Sequence, residues 1–473
     1  MELPKKFVDR MKTILGDEYT AFAAAMDTPA VRSLRVNTLK CGTEEFERTC
    51  GFTYKKLSFS DVGYIFEYDR IGAHPIHHAG AIYVQEPAAM AAVECTDITP
   101  GMKILDACAS PGGKSTQAAA KLCGEGVILS NEIDGGRCRT LAQNIERMGV
   151  KNAIVTNTDS RELGETYREI FDLAIVDAPC SGEGMMRKNP LAVSEWSTDN
   201  IMMCASRQRE ILKNVAGCIK GGGRLLYSTC TFAPEENEMQ IAHFLSEHPD
   251  FHLIPINESV CKVTREGLTE YGGESFGEDM KLCRRFYPHI SLGEGQFMAL
   301  LERDANNEEK AENEPRKQKS KKCGKDKSKV SKPCADEEII KAFLADVLTF
   351  EGLAEAEKYK LIQNNDGSFS ISYDLPMPGG SESFRYAGVT IGSVQKGRVI
   401  PHHSFFMAYG EYFKRQIILN LGDERIEKYL HGESIAVDLV NGYAAVLIGS
   451  AAVGGAKVTG GEAKNYYPKG LRI

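Results

Sequence analysis

Two stretches of this sequence place a nucleophile where a strand ends. Phe171–Gly182 reads FDLAIVDAPCSG, an apolar run that closes on Asp177 and is followed by Pro179 and Cys180. Gly223–Ser228 reads GRLLYS and runs into Thr229 and Cys230. Apolar runs without polar alternation suit strands buried on both faces of a parallel sheet, and the carboxyl edge of such a sheet is where open α/β folds bind ligands. At an ordinary pKa of ~8.5 a few per cent of a thiol is ionised near neutral pH, and the thiolate is a strong nucleophile. Two thiols on one edge make a candidate active site. A free cysteine elsewhere is usually a small buried hydrophobe, and that reading serves for most of the other twelve of the fourteen, Cys108, Cys138, Cys204 and Cys218 among them.

The same edge carries acids and a glycine turn. Asp106–Ser115, DACASPGGKS, leaves a strand and opens a helix. Gly112 and Gly113 let the backbone approach a ligand, and the unpaired amides of the helix start favour an anionic group. A P-loop would need glycine where Cys108 stands, and the dinucleotide pattern GxGxxG is missing, which argues against both nucleotide chemistries. Glu132 ends the second strand, where a carboxylate commonly accepts ribose hydroxyls, and Asp159 follows the third. With Asp106 and Asp177, acids stand at or just beyond four strand ends, a pattern for an adenosine-like cofactor.

The elements that must position these groups alternate. Met102–Cys108, Gly126–Glu132, Ala153–Asn157, Phe171–Asp177 and Gly223–Ser228 read as strands, and segments near 114–123, 137–147, 200–216 and 236–247 read as helices. The rhythm predicts an α/β fold, a doubly wound and mostly parallel sheet with right-handed crossovers, with His252–Ile256 and Gln296–Leu301 adding an antiparallel edge. Residues 1–95 mix a helical start with strand-like pieces. Arg32 and Arg35 in that region could touch a polyanion, although isolated arginines are more often solvated surface. His77 and His78 lack a metal-ligand partner at useful spacing and read as packing or surface residues, and we expect no metal. Arg187 and Lys188 are candidates for phosphate or substrate contact.

The chain therefore divides into 1–95, a catalytic region 96–303, a charged linker 304–335, and a smaller α+β or barrel-like domain 336–473. Within the linker, Arg316–Lys332 holds nine lysines or arginines against Asp326 alone; too little apolar surface is available there to offset ordering, so it is expected to be disordered. A net charge of −8 argues against a uniformly basic nucleic-acid binder and leaves phosphate affinity to local patches. The cysteines are scattered, with no CxxC pair, as reduced thiols of a cytoplasmic protein would be. No run of about 18 apolar residues suggests a membrane span.

DACASPGGK, NEID, DAPCSGEG and YSTCTFAPEENE resemble the Nop/Sun-type RNA cytosine-5 methyltransferases, and RVNTLK, HHAGAIYVQEPAAM and KNYYPKGLR resemble the bacterial branch of that family called ribosomal RNA small subunit methyltransferase F. The resemblance implies a Rossmann-like class I methyltransferase domain that uses S-adenosyl-L-methionine, and a PUA-like RNA-binding domain at the carboxyl end. It implies a cofactor loop of Cys108, Ala109, Ser110, Pro111, Gly112, Gly113 and Lys114, with Glu132 on the ribose, Asp159 by the adenine, and Asp177 between cofactor and cytosine. By the same resemblance Cys230 is the nucleophile and Cys180 assists product release; spacing alone leaves the two thiols interchangeable. The implied partner is RNA, either small-subunit ribosomal RNA or the assembling subunit. A transfer RNA cytosine-5 methyltransferase and a non-catalytic assembly factor are the rival readings.

Overall fold

The computed structural model describes residues 2–305, 335–376 and 384–473. The expected disordered basic stretch falls within 306–334, outside the described residues. Helices α1 (Lys5–Leu15) and α2 (Tyr19–Met26) open the chain. Strand β1 (Ser33–Val36), helix α3 (Thr43–Thr49), strands β2 (Thr53–Lys56) and β3 (Gly63–Glu67), the short α4 (Pro75–His78) and strand β4 (Ile82–Val84) follow, forming an antiparallel sheet in the order β2-β3-β1-β4. Helix α5 (Pro87–Glu94) starts sharply: proline takes its first turn, where no amide is missed, and the Glu86 carboxylate accepts from Ala89 N at 2.9 Å.

The catalytic region then alternates as β5 (Lys103–Asp106), α6 (Gly113–Lys121), β6 (Val127–Asn131), α7 (Gly135–Arg147), β7 (Ala153–Thr156), α8 (Ser160–Thr166), β8 (Phe171–Asp177), α9 (Pro190–Ser194), α10 (Thr198–Ala216), β9 (Ile219–Thr229), α11 (Glu238–Glu247) and β10 (Phe251–Leu253). The parallel strands lie in the order β7-β6-β5-β8-β9. Sequence order reverses between β5 and β8, so their carboxyl ends, at Asp106 and Asp177, flank the crevice of a doubly wound sheet. Alternate side chains of each strand enter opposite cores: Ile104, Leu173 and Ile175 face one, Leu105, Ala174 and Val176 the other, all 2% exposed or less. Burial on both faces is why these strands lack polar alternation.

The expected antiparallel edge forms, with Gln296–Arg303 paired to β9 and β10 paired to Gln296–Arg303. The opposite edge carries a strand no local pattern announced. Phe384–Ala387, from the carboxyl-terminal region, pairs antiparallel with β7 and covers it. The rest of that region forms two sheets, one of Lys360–Gln363, Ser368–Ser372, Val389–Gln395 and Arg398–Pro401, the other of Gln416–Leu419, Gly442–Ile448, Ala451–Thr459, Glu462–Asn465 and Ile435–Ala436. The second shares a core with the amino-terminal sheet, where Leu34, Val36 and Ile82 join Ile417, Val446 and Val453. Lys40 Nζ donates to Ala452 O at 2.7 Å, and His78 Nδ1 lies 2.9 Å from the Tyr467 hydroxyl.

Arg35 departs from the expected solvated surface. It is 1% exposed, and its guanidinium donates to Gln85 Oε1 at 3.0 Å and Thr116 Oγ1 at 2.9 Å, bracing α6 from the amino-terminal sheet. A second buried arginine supports the segment after β9. Arg285 Nε donates to Glu238 Oε1 at 2.7 Å and its Nη1 to Phe232 O at 3.0 Å, while Glu238 Oε1 also accepts from Leu268 N at 2.9 Å. Breaking a buried pair from one side strands the other charge and costs about 3–5 kcal/mol. Glu238→Ala should therefore lower the calorimetric melting temperature by roughly 6–12 °C, and the double replacement Glu238→Leu, Arg285→Met should recover most of that loss.

Candidate active site

Strands β8 and β9 are parallel neighbours with Asp177 opposite Ser228. The loops that leave them start level, and Cys180 Sγ and Cys230 Sγ stand 3.3 Å apart, both half-buried. The sequence placed both thiols on one edge; the structure brings them into contact.

What holds them together is a line of buried polar groups beside the sulfurs. Glu236, fully buried, accepts from Ser181 N at 2.9 Å, from Gln208 Nε2 at 3.0 Å and from the Ser181 hydroxyl. The Ser181 hydroxyl meets Thr231 Oγ1 at 2.9 Å, and Thr231 Oγ1 donates to Glu183 Oε2 at 3.1 Å. Glu183, also fully buried, accepts from Phe232 N at 3.2 Å, from Trp196 Nε1 at 2.6 Å and from the Arg10 guanidinium of α1. Residues next to each cysteine are thus cross-linked by two carboxylates. Gly184 N donates to Cys230 O at 2.9 Å, and the two loops run so close there that a Cβ on Gly184 would lie 2.9 Å from Cys230 O. Glu183, Glu236 and Arg10 escaped the sequence reading: acids in GEG and PEEN look solvated, and nothing local links α1 to a loop 173 residues on.

The cofactor edge lies alongside. The loop Cys108–Gly113 is tethered from outside, with Ser110 Oγ donating to Arg137 O at 3.0 Å and Pro111 O accepting from Asn144 Nδ2 at 2.9 Å. Gly112 takes the left-handed φ of +109° that starts α6, and Gly113 lies against the Gln85 and Tyr83 side chains. Lys114, in the first turn, is buried with Nζ 2.7 Å from Asp177 Oδ2, while Asp177 Oδ1 accepts from Ser228 Oγ at 2.7 Å. Glu132 is 4% exposed, accepts from Asp134 N at 3.0 Å, and is followed by Ile133, 70% exposed. An isoleucine open to solvent beside a buried carboxylate is an apolar face with nothing of the protein over it. Asp159 sits at the rim, its carboxylate capping α8 through Glu162 N at 2.9 Å.

Burial shifts several of these groups. Asp106 rises to about 7, first by desolvation and then by the neighbouring Asp177 charge, against the Ser115 hydroxyl that donates to it at 2.7 Å. Glu236 rises to about 7 by desolvation, against its Ser181 donors. The Cys180 thiol is pushed well up by its hydrogen bond to the Cys230 sulfur and by burial. Burial also raises Cys108.

Arg187 does not serve as a free phosphate contact. Its Nε donates to Glu294 Oε2 at 2.9 Å and its Nη2 to Gly293 O at 2.9 Å, and the side chain is 5% exposed. Lys188 stays partly open, 3.8 Å from Glu294 Oε1. His77 and His78 are packing residues, and among the described residues no cluster of three or more metal-ligating side chains occurs.

Three family models match this chain: 16S rRNA methyltransferase RsmB/F over residues 95–302, the N-terminal domain of 16S rRNA methyltransferase RsmF over 3–87, and the methyltransferase RsmF PUA domain over 416–473. The solved methyltransferase homolog protein from Pyrococcus horikoshii is similar at a TM-score of 0.57 and 32% identity, covering 63% of this chain and 95% of that one. The chain belongs to the RsmB/F methyltransferase family. Ribosomal RNA small subunit methyltransferase F of Shigella dysenteriae serotype 1 is 34% identical over 311 residues, 63% of each chain, so the match spans under two thirds of that curated relative's length. NSun6 from Pyrococcus horikoshii, solved with SFG, shares the fold at a TM-score of 0.55 and 21% identity over 64% of this chain and 99% of that one. The residues placed at the two edges above lie within the RsmB/F span, except Arg10, Tyr83 and Gln85, which lie in the span 3–87.

The two raised carboxylates give this family member a pH signature. An acid whose folded pKa lies above its unfolded value binds more protons folded than unfolded between the two, so stability falls as pH rises through that window. For Asp106 and Glu236 the window runs from the ordinary carboxylate range, about 4, to about 7. Thermal melts of the ligand-free protein should drop between pH 5 and pH 8, and Asp106→Asn with Glu236→Gln should flatten that slope.

Proposed function

We propose that this protein transfers a methyl group from S-adenosyl-L-methionine to carbon-5 of a cytosine in small-subunit ribosomal RNA through a covalent cysteine adduct. The observation that carries the reading is the 3.3 Å contact of Cys180 and Cys230 beside Asp177 and the glycine loop. The printed names of the family models and of the curated relatives support the ribosomal target, and a cytoplasmic location is part of the same proposal.

The residues at the edge fit the cofactor. Asp106 Oδ1 is buried without a hydrogen-bond partner, the glycine loop keeps backbone close to the crevice, and Glu132 offers a carboxylate for ribose hydroxyls. In this reading Cys108, Ala109, Ser110, Pro111, Gly112, Gly113 and Lys114 form the loop around it, Ile133 covers the adenine ring, Asp159 stands at the adenine end, and Asp177 separates cofactor from cytosine. Bound there, S-adenosyl-L-methionine supplies an electrophilic methyl group.

Carbon-5 of cytosine is a poor nucleophile until carbon-6 is attacked. The Cys230 sulfur adds at carbon-6, which leaves an enamine whose carbon-5 can take the methyl group. Asp177, held by Lys114 and Ser228, hydrogen-bonds the cytosine edge and favours the polarised adduct. The assignment of Cys230 rather than Cys180 is supported by the family resemblance of the TC and PC motifs, since either sulfur can be the donor in their contact. Loss of the carbon-5 proton and of the carbon-6 sulfur bond then frees the product, with Cys180 placed to assist. A cytosine inside a helix cannot reach these sulfurs, so the target is single-stranded or flipped. Residues 96–303 carry this chemistry, and 1–95 together with 336–473, which follows the linker 304–335, position the RNA by backbone contacts.

Small-subunit RNA from cells lacking the gene, incubated with protein and labelled cofactor, should gain 5-methylcytosine. Cys230→Ala should abolish both methylation and the covalent RNA adduct, and Cys180→Ala should let the adduct accumulate on denaturing gels. An adduct that survives loss of Cys230 would exchange the two roles; no 5-methylcytosine on any RNA or subunit would refute the reaction.

A further inference from the structure

A cleft of about 460 Å³ opens between the amino-terminal sheet and the far end of the loop that starts at Cys180, a size typical of ligand sites. Arg32, Tyr68, Arg70, Val84, Glu86 and Lys188 are among the residues that line it. We propose that this cleft holds a single-stranded RNA segment flanking the target cytidine, its phosphates on Arg32, Arg70 and Lys188 and a base on the Tyr68 ring. The proposal deepens the reading above, because it takes RNA as the substrate.

The acids at the cleft do not cancel its cations. Glu86 is spent inside the fold, with Oε2 accepting from Ala89 N at 2.9 Å and Oε1 from Glu294 N at 2.7 Å. Glu294 is held by Arg187 at 2.9 Å, and Lys188 reaches it only at 3.8 Å. Arg32 pairs at 3.0 Å with Asp69, but both side chains are mostly exposed, a contact that water and salt screen. Arg70 is exposed and makes no ion pair among the described residues. Three cations outnumber the two exposed acids at their rim, Glu67 and Asp69, and form a local positive patch on a chain whose total charge is −8.

The apolar part of the cleft has the shape of a stacking platform. Tyr68 is 38% exposed, with its ring fixed edge-on by His74 at 5.1 Å and tilted on Phe52 at 5.4 Å, and Val84 nearby is 42% exposed. Cations interleaved with a rigid, open aromatic ring are the means by which proteins grip single strands without reading sequence. An extended apolar peptide would have no use for the three cations.

Position ties the cleft to the chemistry. Lys188 ends the same loop that begins at Cys180, and Gly295, next to Glu294, packs on Gly184 and Phe232 beside Cys230. Gln85, also in the lining, lies against Gly113 at the end of the cofactor loop, where α6 begins. A strand lying in the cleft is therefore led toward both reacting groups.

The test uses the full chain and a 12-nucleotide single-stranded RNA with one central cytidine, read by fluorescence anisotropy, with turnover followed on small-subunit RNA. Arg70→Glu and Lys188→Glu should each raise Kd and KM about tenfold, Tyr68→Ala should raise them roughly fivefold, and kcat at saturating RNA should stay within twofold. Arg70→Ala should make the salt dependence shallower by about 0.7 in log–log slope. Lys220→Glu, half-exposed at the amino-terminal end of β9 and at the opposite edge of the sheet from the thiols, is the charge-matched control and should change neither constant. Unchanged Kd and KM in the cleft variants of a protein that methylates RNA would overturn the proposal, as would a 12-residue glutamate peptide displacing the RNA at equal concentration. If the wild-type protein binds this RNA and the variants lose it while no RNA is ever methylated, the cleft stands and the proposed reaction falls.

Discussion

The contact between the Cys180 and Cys230 sulfurs exists because β8 and β9 pair in parallel with Asp177 level with Ser228, so two loops leave one edge at one height. Strand pairing alone does not keep flexible loops together, and buried carboxylates do the rest. Glu236 and Glu183 bridge the residues that follow each cysteine through the hydroxyls of Ser181 and Thr231. Burying a carboxylate is costly unless its oxygens are well supplied with donors. Glu183 has four donor groups, one of them the Arg10 guanidinium, whereas Glu236 has only neutral ones, and burial raises its pKa. An apolar filling of the same volume could pack as well, but it would leave the relative height of the sulfurs unspecified.

The site is consequently not a property of the alternating sheet by itself. The cation opposite Glu183 comes from α1, the brace behind α6 comes from Arg35 in the amino-terminal sheet, and that sheet is buried against the carboxyl-terminal one through a common core. The strand Phe384–Ala387 closes the open edge at β7. Segments distant in sequence thus share one packed body, and rigidity at the sulfurs is borrowed from both ends of the chain.

This explains what could and could not be read from the sequence. The strands β5 to β9 were legible because burial on both faces leaves apolar runs that no other environment produces, and Phe171–Asp177 fell within its predicted bounds. The run before Cys230 was read short, since its first residues, Ile219 to Gly222, include glycines that weaken the pattern; Ile219 pairs with Phe171, and the register shifts before pairing resumes at Arg224. Arg35 was misjudged as surface and Arg187 as a phosphate or substrate contact because a buried arginine differs from a solvated one only by its partners, here Gln85, Thr116, Gly293 and Glu294, each far away in the chain. Glu183 and Glu236 failed for the same reason. The thiols were found because cysteine at a strand end is rare chemistry, whereas glutamate in a loop is not.

One loop now has two duties that would ordinarily conflict. Its first residue of interest, Cys180, must keep a sulfur within contact of Cys230, and its last, Lys188, faces an open cleft toward solvent. A mobile loop would serve the second duty and spoil the first. The structure resolves this by pinning the middle: Glu183 to α1 and to Trp196, Gly184 to Cys230 O, and Arg187 to Gly293 and to the carbonyl of Ala25 at the end of α2. Every anchor lies between the two ends, so a force on Lys188 is absorbed before it reaches the sulfurs. The cleft and the thiol pair can then be occupied independently, with the loop acting as a fixed ruler between them rather than as a lid.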